Sequence, residues 1–170
     1  MGRILEQAQR LEPVSEDHGF RIGLWLGKSP VSRIIQWHTR SIYSHAGFLT
    51  RDHQVIEAVA TGMRIRPLND DPKRLHWFDI PDLSISGWET AEAWLRKQVR
   101  IGTPYNYSGL FAFVLRHRAL AHNMLFCSQS IFAAVKLGGV ELLARCSEDL
   151  VAPALLAYSP LMIYRPLPAP

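Results

Sequence analysis

The sequence is poor in the features that announce many protein classes. Cysteine occurs only at Cys127 and Cys146, so neither a disulfide scaffold nor a cysteine-rich zinc site is available, although one isolated bridge is chemically allowed. No segment approaches the uninterrupted apolar length of a membrane-spanning helix, and the charged opening MGRILEQAQRLEPVSEDHG has no secretory apolar core. Glu6 stands where a myristoylation signal needs Ser or Thr. A cytoplasmic chain with no signal peptide or transmembrane segment is the expectation. The histidines, at 18, 38, 45, 53, 76, 117 and 122, form neither HExxH nor another tight ligand spacing, so no metal and no cofactor is expected. Charge is equally uninformative: 19 basic against 15 acidic residues leaves +4. That permits an anionic partner without naming one, and without zinc-finger spacing or an aromatic RNA motif no nucleic acid is expected.

What is present is a globular composition. At 170 residues, 48% of them hydrophobic and 20% charged, the chain suits one compact domain and is too short for two ordinary ones. Internal repeats and interdomain linkers are absent from the sequence. Residues 1–19 read as an N-terminal lead-in carrying a short amphipathic helix, 20–163 as the folded domain and 164–170 as a proline-rich tail.

The local patterns predict an α+β protein. FRIGLWLG, 20–27, reads as a buried strand, and Ser29-Pro30 as a cap and first turn for the helix VSRIIQWHT, with Val31, Ile34, Ile35 and His38 on one face. The stretch 43–60 is a hairpin candidate with RDHQ at its turn. MRIRPL and LHWFDI supply further antiparallel strands, and SGWETAEAWLRKQVRIG a helix capped at Ser86. The period of 105–126 does not decide between one helix and two. FCSQSIFAAVKLGG places Cys127 at the start of a buried helix that stops at glycine, and PLMIYRPLPAP suggests an edge strand.

Three residues invite chemistry. A cysteine at a helix start has amide hydrogens and the helix dipole to favour thiolate over thiol, although a buried structural thiol is the more ordinary use of the residue. His45 lies within the apolar strand SHAGFL and needs a hydrogen-bond partner there. Glu57, in VIEAV, is either an exposed strand-face carboxylate or that partner, since neighbouring hairpin strands can set the two side by side. Glu57 would then orient one ring nitrogen while the other faces the thiol.

The order SHAGF, VIEA, GTPYNYSGL and FCSQ resembles the circularly permuted papain-like cysteine hydrolases of the NlpC-related superfamily, the YiiX and YaeF group in particular, with lecithin retinol acyltransferase more distant. The resemblance covers residues 20–163. It implies a permuted papain-like fold, an antiparallel sheet packed against helices that include the nucleophile helix. It carries the family's histidine to His45, its orienting residue to Glu57, its nucleophile to Cys127, and its Gly-Pro-Tyr turn to Gly102, Pro104 and Tyr105. This sequence departs from the family pattern at Gln129, where relatives carry glutamate, and at His18-Gly19, where they carry Gly-Asp before the first strand. The implied activity is hydrolysis of an amide or peptide bond through an acyl-enzyme. The alternatives are a lipid acyltransferase or thioesterase, for which FAFVL with Arg116, His117 and Arg118 would offer a peripheral membrane contact, and a non-catalytic binding module. Tyr43, Ser44 and Tyr105 are candidates for oxyanion or substrate contacts beside the Cys127 amide. The partner is accordingly a peptide, amide or acyl-lipid.

Overall fold

A computed structural model describes residues 20–104 and 126–166. The element order is β1 (Arg21–Trp25), α1 (Pro30–Thr39), β2 (His45–Leu49), β3 (Gln54–Val59), β4 (Gly62–Pro67), β5 (Leu75–Asp79), α2 (Ile85–Arg100), α3 (Cys127–Leu137), α4 (Pro153–Ala157) and β6 (Ile163–Arg165). The strands form one six-stranded sheet in the order β4-β3-β2-β1-β5-β6, every neighbouring pair antiparallel. The class is therefore α+β, as the patterns predict.

Strand alternation divides the sheet into two faces. Ile22, Leu24, Ala46, Phe48, Ile56 and Phe78 pack with Trp88, Ala91 and Leu95 of α2 and Ile131, Phe132 and Val135 of α3 into the main core. Each large side chain fully buried there contributes about 1.5–3 kcal/mol. The alternate positions Trp25, Leu49, Val55, Leu75 and Trp77 make a smaller cluster on the other face. The two core helices meet through glycine. A Cβ on Gly87 would lie 2.2 Å from the Gly138 carbonyl oxygen and one on Gly138 would lie 2.5 Å from the Gly87 oxygen, so only two hydrogens allow this approach. That contact places the end of α3 against the first turn of α2 and thereby fixes the axis that carries Cys127.

Local structure follows the sequence signals with four differences. Ser29 caps α1 by accepting from the Ser32 N–H, as expected, but of the expected inward face only Ile35 is buried, while Val31 and Ile34 remain exposed. The helix is anchored instead by Gln36, which donates to the carbonyls of Gly27 and Ile42. The cap of α2 is Ser84, whose Oγ accepts from the Gly87 N–H, rather than Ser86. The helix thus starts two residues earlier, and Ser86 lies inside it, its carbonyl accepting from Thr90. In ARCSEDLVAPALLAYS, Ser147 followed by Glu148 and Asp149 suggests a short capped helix; Ser147 stands at the cap position of one 3-10 turn, Glu148–Leu150, and the five-residue α4 follows only from Pro153. Finally, β6 pairs with β5 through Ile163, Tyr164 and Arg165, so two residues assigned to the tail belong to the sheet, held by an ion pair from Arg165 to Asp79. The lead-in 1–19, the stretch 105–125 with its basic apolar segment, and residues 167–170 lie outside the described residues. Among the described residues no helix is long and apolar enough to cross a membrane.

Candidate active site

The site forms where the start of β2 meets the start of α3. Phe126 occupies the cap position of α3 in extended conformation and makes no side-chain cap hydrogen bond. The first-turn amides, starting with that of Cys127, therefore have no side-chain acceptor at the cap. Ser128 and Ser130 are fully buried and lock this turn: Ser128 Oγ donates to the Val151 carbonyl at 2.6 Å and Ser130 Oγ to the Cys127 carbonyl at 2.8 Å. Cys127 is a free, buried thiol, 4% exposed, on the side of α3 that faces β2.

His45 opens β2, and Glu57 lies opposite Gly47 on β3. Residues two apart on one strand share a face, so the hairpin register brings imidazole and carboxylate together, with His45 Nε2 2.8 Å from Glu57 Oε2. That bond leaves Nδ1 as the ring nitrogen available to Cys127, which lies close enough to His45 for each group to shift the other's titration. The three residues singled out in the sequence are thus brought to one place, with His45 bonded to Glu57 and under the electrostatic influence of Cys127.

Electrostatics favour the charged form of the pair. Burial pushes the Cys127 thiol up, but the imidazolium of His45 and the backbone N–H groups of Ala46 and Ser128 outweigh it, and the thiol sits below its ordinary value. Burial pushes His45 down, yet the Cys127 thiolate and then Glu57 more than compensate, raising the imidazole to about 10. Glu57 is 2% exposed. Burial alone would raise it, but hydrogen bonds from His45, Arg66 and Arg64 hold it well below the usual carboxylate range.

The arginines are the part of the site that sequence reasoning missed. Arg64 donates to Glu57 Oε1 through Nε at 2.9 Å and Nη2 at 2.6 Å, and Arg66 donates to the same oxygen through Nε at 2.9 Å. Arg66 is itself forked onto Asp70, at 2.7 and 3.1 Å. Asp70 accepts the indole N–H of Trp25 at 2.8 Å, and the Trp25 ring leans on His45 with centroids 5.4 Å apart. The contacts close a ring: His45, Glu57, Arg66, Asp70, Trp25 and back to His45. Two glycines make room for the indole, because a Cβ on Gly23 would come within 2.6 Å of it and one on Gly47 within 3.0 Å. The signal in the sequence was the alternation of MRIRPL. Arg64 and Arg66 are two apart, hence on one face, and in a strand that follows VIEAV they meet its single carboxylate.

The remaining candidates are placed elsewhere. Ser44 is buried and its Oγ accepts from the Gly27 N–H at 3.0 Å. The Tyr43 hydroxyl is 2.8 Å from His76 Nδ1, inside a cavity of about 460 Å³ lined by Arg40, Ile42, Phe78, Tyr158 and Tyr164. The cavity is lined from the segment 40–43 that leads into β2 and from His76 and Phe78 of β5. Tyr105 falls outside the described residues. Cys146, half-buried, has its sulfur 3.7 Å from the Ser147 carbonyl oxygen and stands apart from the relay.

No protein-family model matches the chain, and no curated protein sequence does. A solved structure does. The crystal structure of YiiX from Escherichia coli O157:H7, described as a metalloprotein of DUF1105, superposes with a TM-score of 0.67 at 16% identity, over 90% of this chain and 98% of that one. Among the described residues here, no three or more His, Cys, Asp and Glu side chains are grouped to hold a metal ion. Glu57 and Asp70, the carboxylates of the relay and its support, are already bound by arginine. These donors do not fit a resident metal. At this identity the likeness speaks for the fold, and on that ground the chain has a YiiX-like fold.

Proposed function

We propose that the chain is a cysteine hydrolase of the permuted papain-like, NlpC-related type that cleaves an amide or peptide bond through an acyl-enzyme. The observation that carries this reading is the relay itself, a buried thiol lowered by an imidazole that is raised to about 10 and tied to a carboxylate by a 2.8 Å bond. An activated thiolate, a protonated donor beside it and an orienting carboxylate are what thiol acyl transfer requires. The histidine strand preceding the cysteine helix, β2 before α3, agrees with the permuted order.

Cys127 Sγ attacks the carbonyl carbon, and the oxygen takes the negative charge. The Cys127 N–H at the uncapped start of α3 is positioned to meet that oxyanion. His45 Nδ1–H passes its proton to the leaving amine as the C–N bond breaks, which leaves a thioester and a neutral imidazole. The same nitrogen then takes a proton from water as the water oxygen attacks the thioester. Collapse releases the carboxylic acid and returns the thiolate and imidazolium. Throughout, Nε2–H stays on Glu57, which the two arginines keep ionised. A binding module without chemistry would have no use for a buried cluster of ions, since burying charge costs several kcal/mol per ion.

The test is labelling with thiol-reactive amide and ester probes, on wild type and on Cys127→Ala. Stoichiometric labelling at Cys127 at neutral pH, with turnover lost in the variant, is expected. Full hydrolysis by Cys127→Ala would overturn the reading.

A further inference from the structure

From His18 to Arg51 the sequence contains no Asp or Glu. Helix α1 lies in that stretch, and its outward side is apolar. Val31 and Ile34 are each 51% exposed, Trp37 is 80% exposed, and Ile42, just past the helix, is 53% exposed. At 100° per residue the first three span an arc centred on Ile34, which lies far round the helix from Gln36, the residue that holds the neighbouring carbonyls; buried Ile35 borders that arc beside Val31. Isolated exposed apolar residues are ordinary, but four on one short segment, with a tryptophan among them, form a patch that calls for a partner surface.

The flanks say which surface. Lys28 precedes the helix, Arg33 borders the apolar stripe, and Arg40 caps the helix in the left-handed conformation at φ 50°. None of the three is ion-paired to a carboxylate among the described residues, whereas Arg21 and Arg51, at the ends of the acid-free stretch, are bound to Asp79 and Glu89. An apolar stripe edged by unpaired cations, with an exposed indole, matches the interface of an anionic bilayer, where acyl chains and phosphates lie a few ångströms apart. A second copy of the chain fits poorly, because it would set the same cations face to face.

We propose that the outer face of α1 docks this protein onto anionic lipid bilayers, with Trp37 at the boundary between headgroups and acyl chains. Arg40 and Ile42 also line the aromatic cavity around Tyr43, so the bilayer would lie at the mouth of that cavity. The docking rests on α1 alone and stands or falls independently of the thiol chemistry.

The full chain is incubated with vesicles of phosphatidylcholine, or of equimolar phosphatidylcholine and phosphatidylglycerol, and sedimented. Binding to the anionic vesicles alone, weakened by salt, is expected. Trp25, Trp77 and Trp88 are buried and Trp94 is half-buried against the core, so acyl chains brominated near the headgroup should quench mainly Trp37. Trp37→Phe should sediment as wild type with that quenching largely removed. Ile34→Glu, and the pair Arg33→Glu with Arg40→Glu, should each weaken binding by about tenfold or more with an unchanged circular dichroism spectrum. Equal binding to neutral vesicles, no binding to anionic ones, or quenching undiminished in Trp37→Phe would overturn the proposal, as would wild-type binding by Ile34→Glu.

Discussion

Trp25 and Asp70 are joined by an indole N–H to carboxylate bond of 2.8 Å that reaches from the central strand β1 to the loop after β4. Trp25 touches His45, and Asp70 holds the arginine that holds Glu57. One bond thus braces both ends of the imidazole–carboxylate pair.

Trp25→Phe keeps the ring against His45 and deletes the bond. A stability loss of about 1 kcal/mol is expected from one hydrogen bond. If the loop is the positioning element, kcat/KM falls and its pH profile shifts while substrate binding is retained. A drop in melting temperature with an unchanged profile would assign Trp25 a structural role only.

Glu57→Gln is the more severe change. It leaves Arg64, Arg66 and His45 around a neutral amide, and removing one member of a buried ionic cluster costs about 3–5 kcal/mol. Chemical denaturation measures that loss, and with the carboxylate gone His45 should titrate lower than in wild type.

The pair Cys127–His45 titrates as a unit. In wild type the His45 ring signals should titrate near 10. Cys127→Ala removes the largest raising influence and leaves burial opposed by Glu57 alone, so the value should fall. Nuclear magnetic resonance of labelled histidine reads the titration in wild type and variant. A value unchanged by Cys127→Ala would mean the thiolate does not face the ring.

Stability should follow the same groups. His45 is raised, so its contribution is fully present below pH 6.5 and is lost as pH rises through about 10. Glu57 is lowered, so its contribution is present above its ordinary 4.5 and is lost as pH falls through its depressed folded value. Melting temperature against pH should therefore show a broad maximum that ends on the alkaline side near 10.

Gly87→Ala tests the helix crossing. The new methyl would meet the Gly138 carbonyl at 2.2 Å, backbone against backbone, with no flexible side chain to yield. Overpacking of this kind costs about 1–3 kcal/mol, and it displaces α3, so thiol reactivity at Cys127 should fall along with stability. Wild-type values for both would show that the two helices separate freely.

Much of this protein is written locally. Alternation with turn residues predicts the run of strands from β2 to β5, Ser29-Pro30 starts α1, and the glycines after Val135 end α3. His45, Glu57 and Cys127 were legible because each sets a polar or reactive group in an apolar segment, which physical chemistry tolerates only with a partner. The side of a helix that faces the core is not local information. Val31 and Ile34 read as core by period, yet they face outward because Gln36 and the carbonyls of Gly27 and Ile42 anchor the opposite side. The same limit hid Arg66, Asp70 and Trp25, whose contacts depend on strands separated in sequence by as many as 45 positions. Composition and period therefore decided an α+β chain with one thiol at a helix start. Only the register of β2 on β3, and the glycine contact that sets α3 against α2, decided that this thiol meets an imidazole held by a buried carboxylate, because such meetings depend on packing between segments that no local pattern encodes.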